Sequence, residues 1–255
     1  MLTRILMLTT LMIFSHALLA QKKPAYQLFN AKGKSKSYKK LLKEVAKADI
    51  VLFGEHHNNP ICHWLQLELI QDSEPGAIGL EMFERDQQHM LSQYVASKVD
   101  EATFAKSGQF WSNYETDYKP IIENGRAKNI PIIATNIPRK YASMVFRGGF
   151  EVLDTLSAQE KNWIAPLPVT YDKNLPGYQK MLDMMPGGHG GENFAKAQAI
   201  KDATMAYSIL ENFKDGQLFI HLNGSYHSDN FEGILWYLKQ AKPNLNYLTI
   251  TTVEQ

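Results

Sequence analysis

Three ionisable side chains stand in a row where an apolar segment ends. Residues 51–57 read VLFGEHH, so Glu55, His56 and His57 directly follow a stretch typical of a buried strand. Since alternate side chains of an extended segment project to the same side, we expect Glu55 and His57 to face one way and His56 the other. A carboxylate beside an imidazole suits a general base with its orienting partner, and it equally suits the ligands of a divalent metal ion.

Two further polar residues accompany later apolar stretches. Glu81 lies in GLEMF at 79–83, and His227 closes HLNGSYH at 221–227, where Gly224 permits a tight turn. In open parallel sheets, ligands bind outside the carboxyl ends of the strands, so side chains that follow different strands meet at one edge. We therefore expect one polar site, whose members act as catalytic residues of a hydrolase or as ligands of a metal ion: Glu55, His57, Glu81 and His227.

The elements that must position these side chains are predicted by an alternation of apolar and helical patterns. Apolar segments typical of strands lie at 50–53, 77–83, 130–137, 217–224 and 245–253. Helical patterns lie at about 60–71, 86–97, 115–128, 138–147, 192–213 and 229–241. Such alternation predicts an α/β fold with a mainly parallel central sheet flanked by helices. Two short strands within 26–38 and a helix over about 38–48 are predicted to precede it.

Residues 148–191 interrupt this alternation. They contain a Gly-Gly pair, the stretch APLPVTYDKNLPGY and the stretch MLDMMPGGHGG. We expect this segment to form a helical cap inserted over the sheet. A long disordered loop is the alternative, which the leucine, methionine and tyrosine content disfavours.

Several other polar residues are expected to have structural roles. Lys201 and Asp202 fall in the helix predicted over 192–213 and could face the strand ends or solvent; for either residue alone, solvent is expected. His63 and His221 are expected to pack within the fold. Asn59 precedes a proline at the first predicted helical position, which is typical of a helix cap.

The first twenty residues predict an export signal. A positive start is followed by an apolar run over 5–14 and by small residues before a cut after Ala20. A retained membrane anchor is the alternative. Since Arg4 is the only charged residue removed with 1–20, residues 21–255 form a domain with 26 basic and 26 acidic residues. That balance argues against a general nucleic-acid binder.

Cysteine and lysine usage add two constraints. Cys62 is the only cysteine, so an internal disulfide is excluded. It also lies far from the predicted signal, so no cysteine is placed to carry a lipid there. Nine lysines stand against Glu44 alone within residues 22–47. We expect a solvated face there, with attraction to anions or to a membrane as the alternative.

The motifs together resemble one protein family. VLFGEHH, GLEMFERDQQ, TNIPR, AQAIKDATMAYSI and HLNGSYHSDNFEGI occur in the order seen in the ChaN family, which belongs to the haem-binding-uptake, Tiki-like superfamily with the TraB and erythromycin-esterase-like groups. The resemblance spans about residues 26–253. It implies an exported bacterial protein of haem and iron uptake with a helical cap on an α/β fold. The resemblance also maps a superfamily signature onto Glu55, His57, Glu81 and the G-x-x-H of 224–227. In the enzymatic members of the superfamily, such residues are implied to serve metal-dependent or general-base hydrolysis.

Two departures from the family pattern matter. Many ChaN-like proteins are lipoproteins, whereas this chain has no cysteine at the predicted cut after Ala20 to carry the lipid. Lys201 also stands where the resemblance implies an arginine before the helix aspartate, and lysine lacks the bidentate fork of arginine.

Three functions follow from the resemblance and the residues. The first is a haem-binding protein of haem or iron uptake, which holds haem non-covalently with Tyr178 and His189 of the insertion as candidate ligands. The alternative is a metal-dependent hydrolase that uses the strand-end site with a divalent metal ion. The third is an exported partner-binding protein whose polar site is a relic. The expected location is the periplasm or the periplasmic face of the outer membrane, with outer-membrane haem-uptake components and a second copy of the chain as partners.

Overall fold

The computed structural model describes residues 24–108, 110–183 and 191–254. The chain divides into a unit that ends at Ser37 and a unit that spans Tyr38–Gln255. In the first unit, strands β1 (Leu28–Phe29) and β2 (Ser35–Lys36) pair antiparallel, which confirms the two predicted short strands. The turn between them is held by the Asn30 side chain, which accepts hydrogen bonds from the backbone of Lys32 and Lys34.

The second unit is built on a five-stranded parallel sheet. Its strands are β3 (Ile50–Glu55), β4 (Ala77–Glu84), β5 (Ile132–Asn136), β6 (Phe219–Gly224) and β7 (Tyr247–Thr251). They lie in the order β5-β4-β6-β3-β7, and every pairing is parallel. The predicted α/β fold is therefore confirmed. Because β6 lies between β3 and β4, the carboxyl ends of these three strands are neighbours at one edge.

Helices cover both faces of the sheet. In chain order they are α1 (Tyr38–Val45), α2 (Pro60–Ser73), α3 (Gln88–Val95), α4 (Glu101–Ala105), α5 (Lys119–Lys128), α6 (Arg139–Gly148), α7 (Ala158–Lys161), α8 (Pro176–Asp183), α9 (Glu192–Asn212) and α10 (Ile234–Ala241). Alternate residues of β3 enter two different cores: Val51 and Phe53 pack with α2 and α5, while Ile50 and Leu52 pack with α9 and α10. Burial on both faces explains why β3 reads as a continuous apolar run.

The described part of the 148–191 segment alternates short helices with irregular stretches. It contains a 3₁₀ helix at Phe150–Thr155 together with α7 and α8. Its apolar residues form small clusters with α6 and α9, and Tyr178 of α8 packs against Ala195 and Ala199. Met184, Met185 and His189 lie outside the described residues. Among the helices that the structure describes, none combines the length and the apolar character that crossing a bilayer requires.

Candidate functional site at the carboxyl edge of the sheet

Glu55 and His57 form a hydrogen-bonded pair at the end of β3. The Glu55 Oε1 atom lies 3.0 Å from His57 Nδ1, whereas the His56 ring turns away and lies 3.0 Å from the carbonyl oxygen of Thr252. The predicted alternation of these side chains is therefore confirmed. Glu55 is buried, but 49% of the His57 side chain remains exposed. The pair thus presents one oriented imidazole towards solvent.

Buried groups behind the pair fix the Glu55 carboxylate. Tyr118 donates its hydroxyl to Oε1, and Gln66 donates its amide to Oε2 at 2.7 Å. The hydrogen bond to Glu55 raises the pKa of His57 above its ordinary value of 6.5, although partial burial acts against this rise. The orientation of His57 and its affinity for a proton therefore have the same cause.

His63 stabilises the residues around the Glu55–His57 pair, in keeping with its expected structural role. Its Nδ1 lies 3.1 Å from Gln66 Oε1, and its Nε2 lies 3.0 Å from the carbonyl oxygen of His57. Asn59 accepts a hydrogen bond from the backbone N–H of Cys62 and caps α2 as predicted. The start of α2 is therefore fixed next to the residues that it supports.

A second cluster joins two carboxylates to one buried imidazole. His227 Nε2 lies 3.1 Å from Glu81 Oε1, and His227 Nδ1 lies 2.5 Å from Asp202 Oδ1. The backbone N–H of Gly224 donates to the second oxygen of Glu81 at 2.7 Å. All three side chains are buried. A buried imidazole between two carboxylates satisfies the rule that buried charges are paired.

Burial and charge act in opposite directions on this cluster. Burial by itself lowers the pKa of His227, but the carboxylates of Glu81 and Asp202 outweigh it and raise that pKa to about 10. Burial likewise acts to raise the pKa of Glu81, yet the His227 charge and hydrogen bonds lower it to about 2. Burial raises the pKa of Asp202. Glu81 and His227 are therefore an ion pair across the neutral pH range.

The position of Asp202 corrects the expectation that it faces solvent. Only 1% of its surface is exposed, and it links His227 to Tyr178, whose hydroxyl donates to Asp202 Oδ2 at 2.8 Å. The reason is helical spacing: Asp202 follows Ala199 by three residues and precedes Ala206 by four, so it shares the buried face of α9. That spacing was a signal in the sequence that the reading of Asp202 as a lone charged residue missed.

The two clusters meet over Gly224. A Cβ atom added at Gly224 would lie 2.9 Å from His57 Nε2 and 3.6 Å from Glu81 Oε2, so the His57 ring lies directly on this glycine. Strand β4 extends to Glu84, beyond the predicted end, and its register with β5 shifts between Leu80 and Glu84. Such an irregularity redirects side chains, and Glu81 lies within it. The structure thus brings together all four strand-end residues predicted from the sequence.

Several contributors to the site carry no signal in the sequence. Gln66, Tyr118 and Trp111 all come from helical or loop segments, and the Trp111 ring stands edge-on to His57 with ring centres 4.5 Å apart. Because these residues lie far from Glu55 along the chain, no sequence pattern indicates that they contact the Glu55–His57 pair. Across residues 24–108, 110–183 and 191–254, no group of three or more histidine, cysteine or acidic side chains has a geometry suited to a metal ion. The expected divalent metal is therefore unsupported.

Of the two candidate haem ligands of the insertion, the structure describes Tyr178. Tyr178 is buried, and burial raises the pKa of its hydroxyl, whose proton is shared with Asp202. Coordination by Tyr178 would require that hydrogen bond to be exchanged. His189 lies outside the described residues, so its role stays a prediction.

Comparison with known proteins gives a family and a structural match that covers most of both chains. A family model described as haem-binding uptake, Tiki superfamily, ChaN matches residues 41–238. No curated protein matches the chain significantly. The structure of ChaN of Campylobacter jejuni, described for its cofacial haem binding, aligns at 17% identity over 90% of this chain and 91% of that chain, with a TM-score of 0.65. At this identity, the match shows a common fold.

Two toxin structures align over a smaller part of their own length. RRSP, a MARTX toxin effector domain from Vibrio vulnificus CMCP6, aligns at 17% identity over 84% of this chain and 37% of that chain, with a TM-score of 0.46. Pasteurella multocida toxin aligns at 12% identity over 86% of this chain and 28% of that chain, with a TM-score of 0.47.

Proposed function

Since the chain belongs to the ChaN family of the Tiki superfamily, a family described by haem-binding uptake, we propose that it binds haem non-covalently and serves haem or iron uptake. The observation that carries this proposal is the family match over residues 41–238, which includes strands β3 to β6 of the sheet, the candidate site and the described part of the 148–191 segment. The fold shared with the haem-binding ChaN of Campylobacter jejuni supports it.

The rim of the candidate site fits a porphyrin. Tyr226 and Phe231, from the segment that follows β6, are 50% and 60% exposed, and the Lys180 ammonium lies 5.7 Å from the centre of the Tyr226 ring. Exposed aromatic rings offer stacking surface, and a lysine offers a partner for a propionate. Tyr226 and Phe231 would therefore hold the macrocycle and Lys180 one of its carboxylates.

The backbone of the rim supports a binding role for Phe231. Asn230 and Phe231 have φ angles of 56° and 64°, in the left-handed region that bulky residues rarely adopt. Two successive residues of this kind are costly, and such conformations concentrate at ligand sites, where the surrounding structure maintains them. Here they display an aromatic ring to solvent.

Bound haem would supply a ferric iron that accepts an oxygen or nitrogen ligand. Tyr178 and His189 remain the proposed ligands from the insertion. The Tyr226 phenol is a third candidate ligand and the second with an oxygen donor. If Tyr178 bound the iron as a phenolate, the Asp202 carboxylate, which accepts the Tyr178 hydrogen bond, would be the acceptor of its proton.

Export and assembly belong to the same proposal. We place the protein in the periplasm or at the periplasmic face of the outer membrane, where it would deliver haem to or accept it from outer-membrane uptake components. A homodimer would let two copies present their haems face to face, the cofacial mode described for the Campylobacter jejuni protein. Mass spectrometry of the exported protein tests the first step, since a mature chain that begins near Gln21 without acyl mass is expected.

Titration of the protein with haemin, followed at the Soret band, tests the proposal. Tyr178→Phe or His189→Ala is expected to shift the band or to weaken binding at least tenfold, about 1.4 kcal/mol. Phe231→Ala is expected to weaken binding, whereas Phe29→Ala, which removes another exposed phenylalanine, is the matched control. Glu55→Gln and His57→Ala are expected to leave haem binding largely intact.

Two results would count against this proposal. If the Soret band of haemin is the same in the presence and absence of the protein, the chain does not bind haem. If the strand-end variants abolish binding while the insertion and rim variants bind normally, haem binds at the polar site instead.

General-base hydrolysis is the second candidate function. The observation in its favour is the half-exposed His57, held by Glu55 with its Nε2 over Gly224, as a general base requires. Screening of ester and amide substrates tests it. Activity that is lost in His57→Ala and rises with pH through the His57 pKa would support it, and activity unaffected by His57→Ala would exclude it.

A further inference from the structure

Positive charge is concentrated in one short segment of the chain. Residues 22–47 contain nine lysines and one acidic residue, Glu44, a net charge of +8. Residues 48–255 contain 17 basic and 25 acidic residues, a net charge of −8. The near-neutral net charge of the chain therefore combines two opposite charges. The positive charge of 26 residues offsets the negative charge of the other 208.

Helix α1 displays part of this charge on one exposed face. Leu41 and Leu42 pack against the core and Val45 is buried, so the apolar side of the helix is already covered by the fold. Lys39, Lys40 and Lys43 are exposed on the other side, where the following turn adds Lys47.

Few of these lysines are neutralised. Glu44 pairs with both Lys40, at 3.8 Å, and Lys47, at 3.0 Å, so one carboxylate serves two ammonium groups. Within the part of the chain that the structure describes, Lys39 and Lys43 form no ion pair closer than 4 Å. The face therefore keeps a positive charge that the remainder of the protein does not compensate locally.

We propose that the basic segment 22–47 docks the protein on an anionic phospholipid surface. Each lysine near such a surface contributes about 1 kcal/mol, so four on one helix face and the neighbouring lysines of the segment suffice for reversible binding. The apolar side of α1 is buried, so attachment is electrostatic, without insertion.

The composition of the segment favours a membrane over a nucleic acid. Residues 22–47 contain no arginine, the side chain that recognises phosphates and guanines bidentately. Lysines act as point charges, which suits a laterally mobile array of headgroups. The net charge of −8 on residues 48–255 also opposes alignment along a long polyanion.

Vesicle co-sedimentation tests the proposal. The full protein, its N-terminus established by mass spectrometry, is mixed with phosphatidylcholine vesicles that contain or lack phosphatidylglycerol. We expect binding that requires phosphatidylglycerol and is lost at about 1 M salt, where the Debye length falls to about 3 Å. Substitution of Lys39, Lys40 and Lys43 by glutamine is expected to weaken binding at least tenfold.

The matched control removes three exposed lysines from the acidic part of the chain: Lys214, Lys239 and Lys242, each to glutamine. This control is expected to bind as the unchanged protein does. The proposal is overturned if phosphatidylglycerol does not change the amount of bound protein, or if both triple variants bind equally. It is also overturned if double-stranded DNA of equal phosphate concentration displaces the protein from the vesicles. Circular dichroism of the variants separates loss of binding from loss of folding.

Discussion

At the residue scale, the site is two carboxylate–imidazole groups of different character. Glu55 and His57 form an accessible pair whose imidazole is half exposed, whereas Glu81, His227 and Asp202 form a buried cluster. The two groups differ in their chemistry because they differ in their exposure to solvent. The accessible imidazole, whose pKa Glu55 raises, can exchange protons with a ligand, while the buried Glu81–His227 ion pair holds its neighbours in place.

The protonation of His57 should depend on Glu55. The hydrogen bond to Glu55 is the largest cause of its raised pKa, so Glu55→Gln should lower that pKa towards or below 6.5. NMR titration of the His57 ring measures the change. Asp117→Asn is the control, because Asp117 lies 3.6 Å from His63 rather than beside His57. An unchanged His57 pKa in Glu55→Gln would contradict the assignment.

Removal of the Asp202 charge should destabilise the fold. Asp202→Asn weakens a charged hydrogen bond to buried His227, which is expected to cost about 2 kcal/mol of unfolding free energy. Urea denaturation gives the value. Lys201→Gln on the same helix should change it by less than about 0.5 kcal/mol. Equal effects of the two substitutions would show that Asp202 has no special role.

At the element scale, two hydrogen bonds near the start of helix α8 hold this helix of the insertion against the site. The Gly177 backbone N–H donates to Glu232 at 2.6 Å, and Tyr178 donates to Asp202 at 2.8 Å. Both acceptors lie on elements that frame the strand ends. The position of the cap therefore depends on the same buried cluster that includes His227.

Loss of the Tyr178 hydroxyl should loosen α8 selectively. Tyr178→Phe leaves Asp202 with one hydrogen bond fewer, at an expected cost of about 1–3 kcal/mol, and should speed amide exchange over 176–183. Tyr171→Phe is the matched control, because the Tyr171 hydroxyl is buried without a hydrogen-bond partner among the described residues. Hydrogen exchange with mass spectrometry distinguishes them. The same exchange rate over 176–183 in both variants would refute this role.

At the scale of the whole molecule, stability rests on packing and on buried ion pairs without a disulfide. Cys62 is buried, and burial raises its thiol pKa to about 11. Two apolar cores sandwich the sheet, and the polar cluster is confined to its carboxyl edge. The dependence of stability on pH therefore reflects a small number of buried groups.

Stability should fall on the alkaline side. The pKa of His227 is raised from 6.5 to about 10 in the folded protein, so its contribution is complete below pH 6.5 and is lost as pH rises towards 10. His57 acts in the same direction. One such group contributes a slope of at most about 1.4 kcal/mol per pH unit.

Urea denaturation across this pH range measures the slope. His227→Gln should reduce it, while His89→Gln, which replaces an exposed histidine, should leave it unchanged. A slope that survives in His227→Gln would assign the dependence to other groups.

The sequence by itself determined the elements and the local facing of side chains. The apolar segments, the cap at Asn59 and the opposite directions of His56 and His57 follow from backbone geometry within a few residues, which periodicity reports directly. The family resemblance also follows from motifs read in order, and the family match bears it out.

Only the tertiary structure decided which distant side chains meet. Insertion of β6 between β3 and β4 places His227 against Glu81, and the packing of α9 brings Asp202 to the same imidazole from 25 residues away. Gln66 and Tyr118 reach Glu55 in the same way. Such contacts depend on strand order and helix packing, which many sequence patterns satisfy equally well, so no local period encodes them.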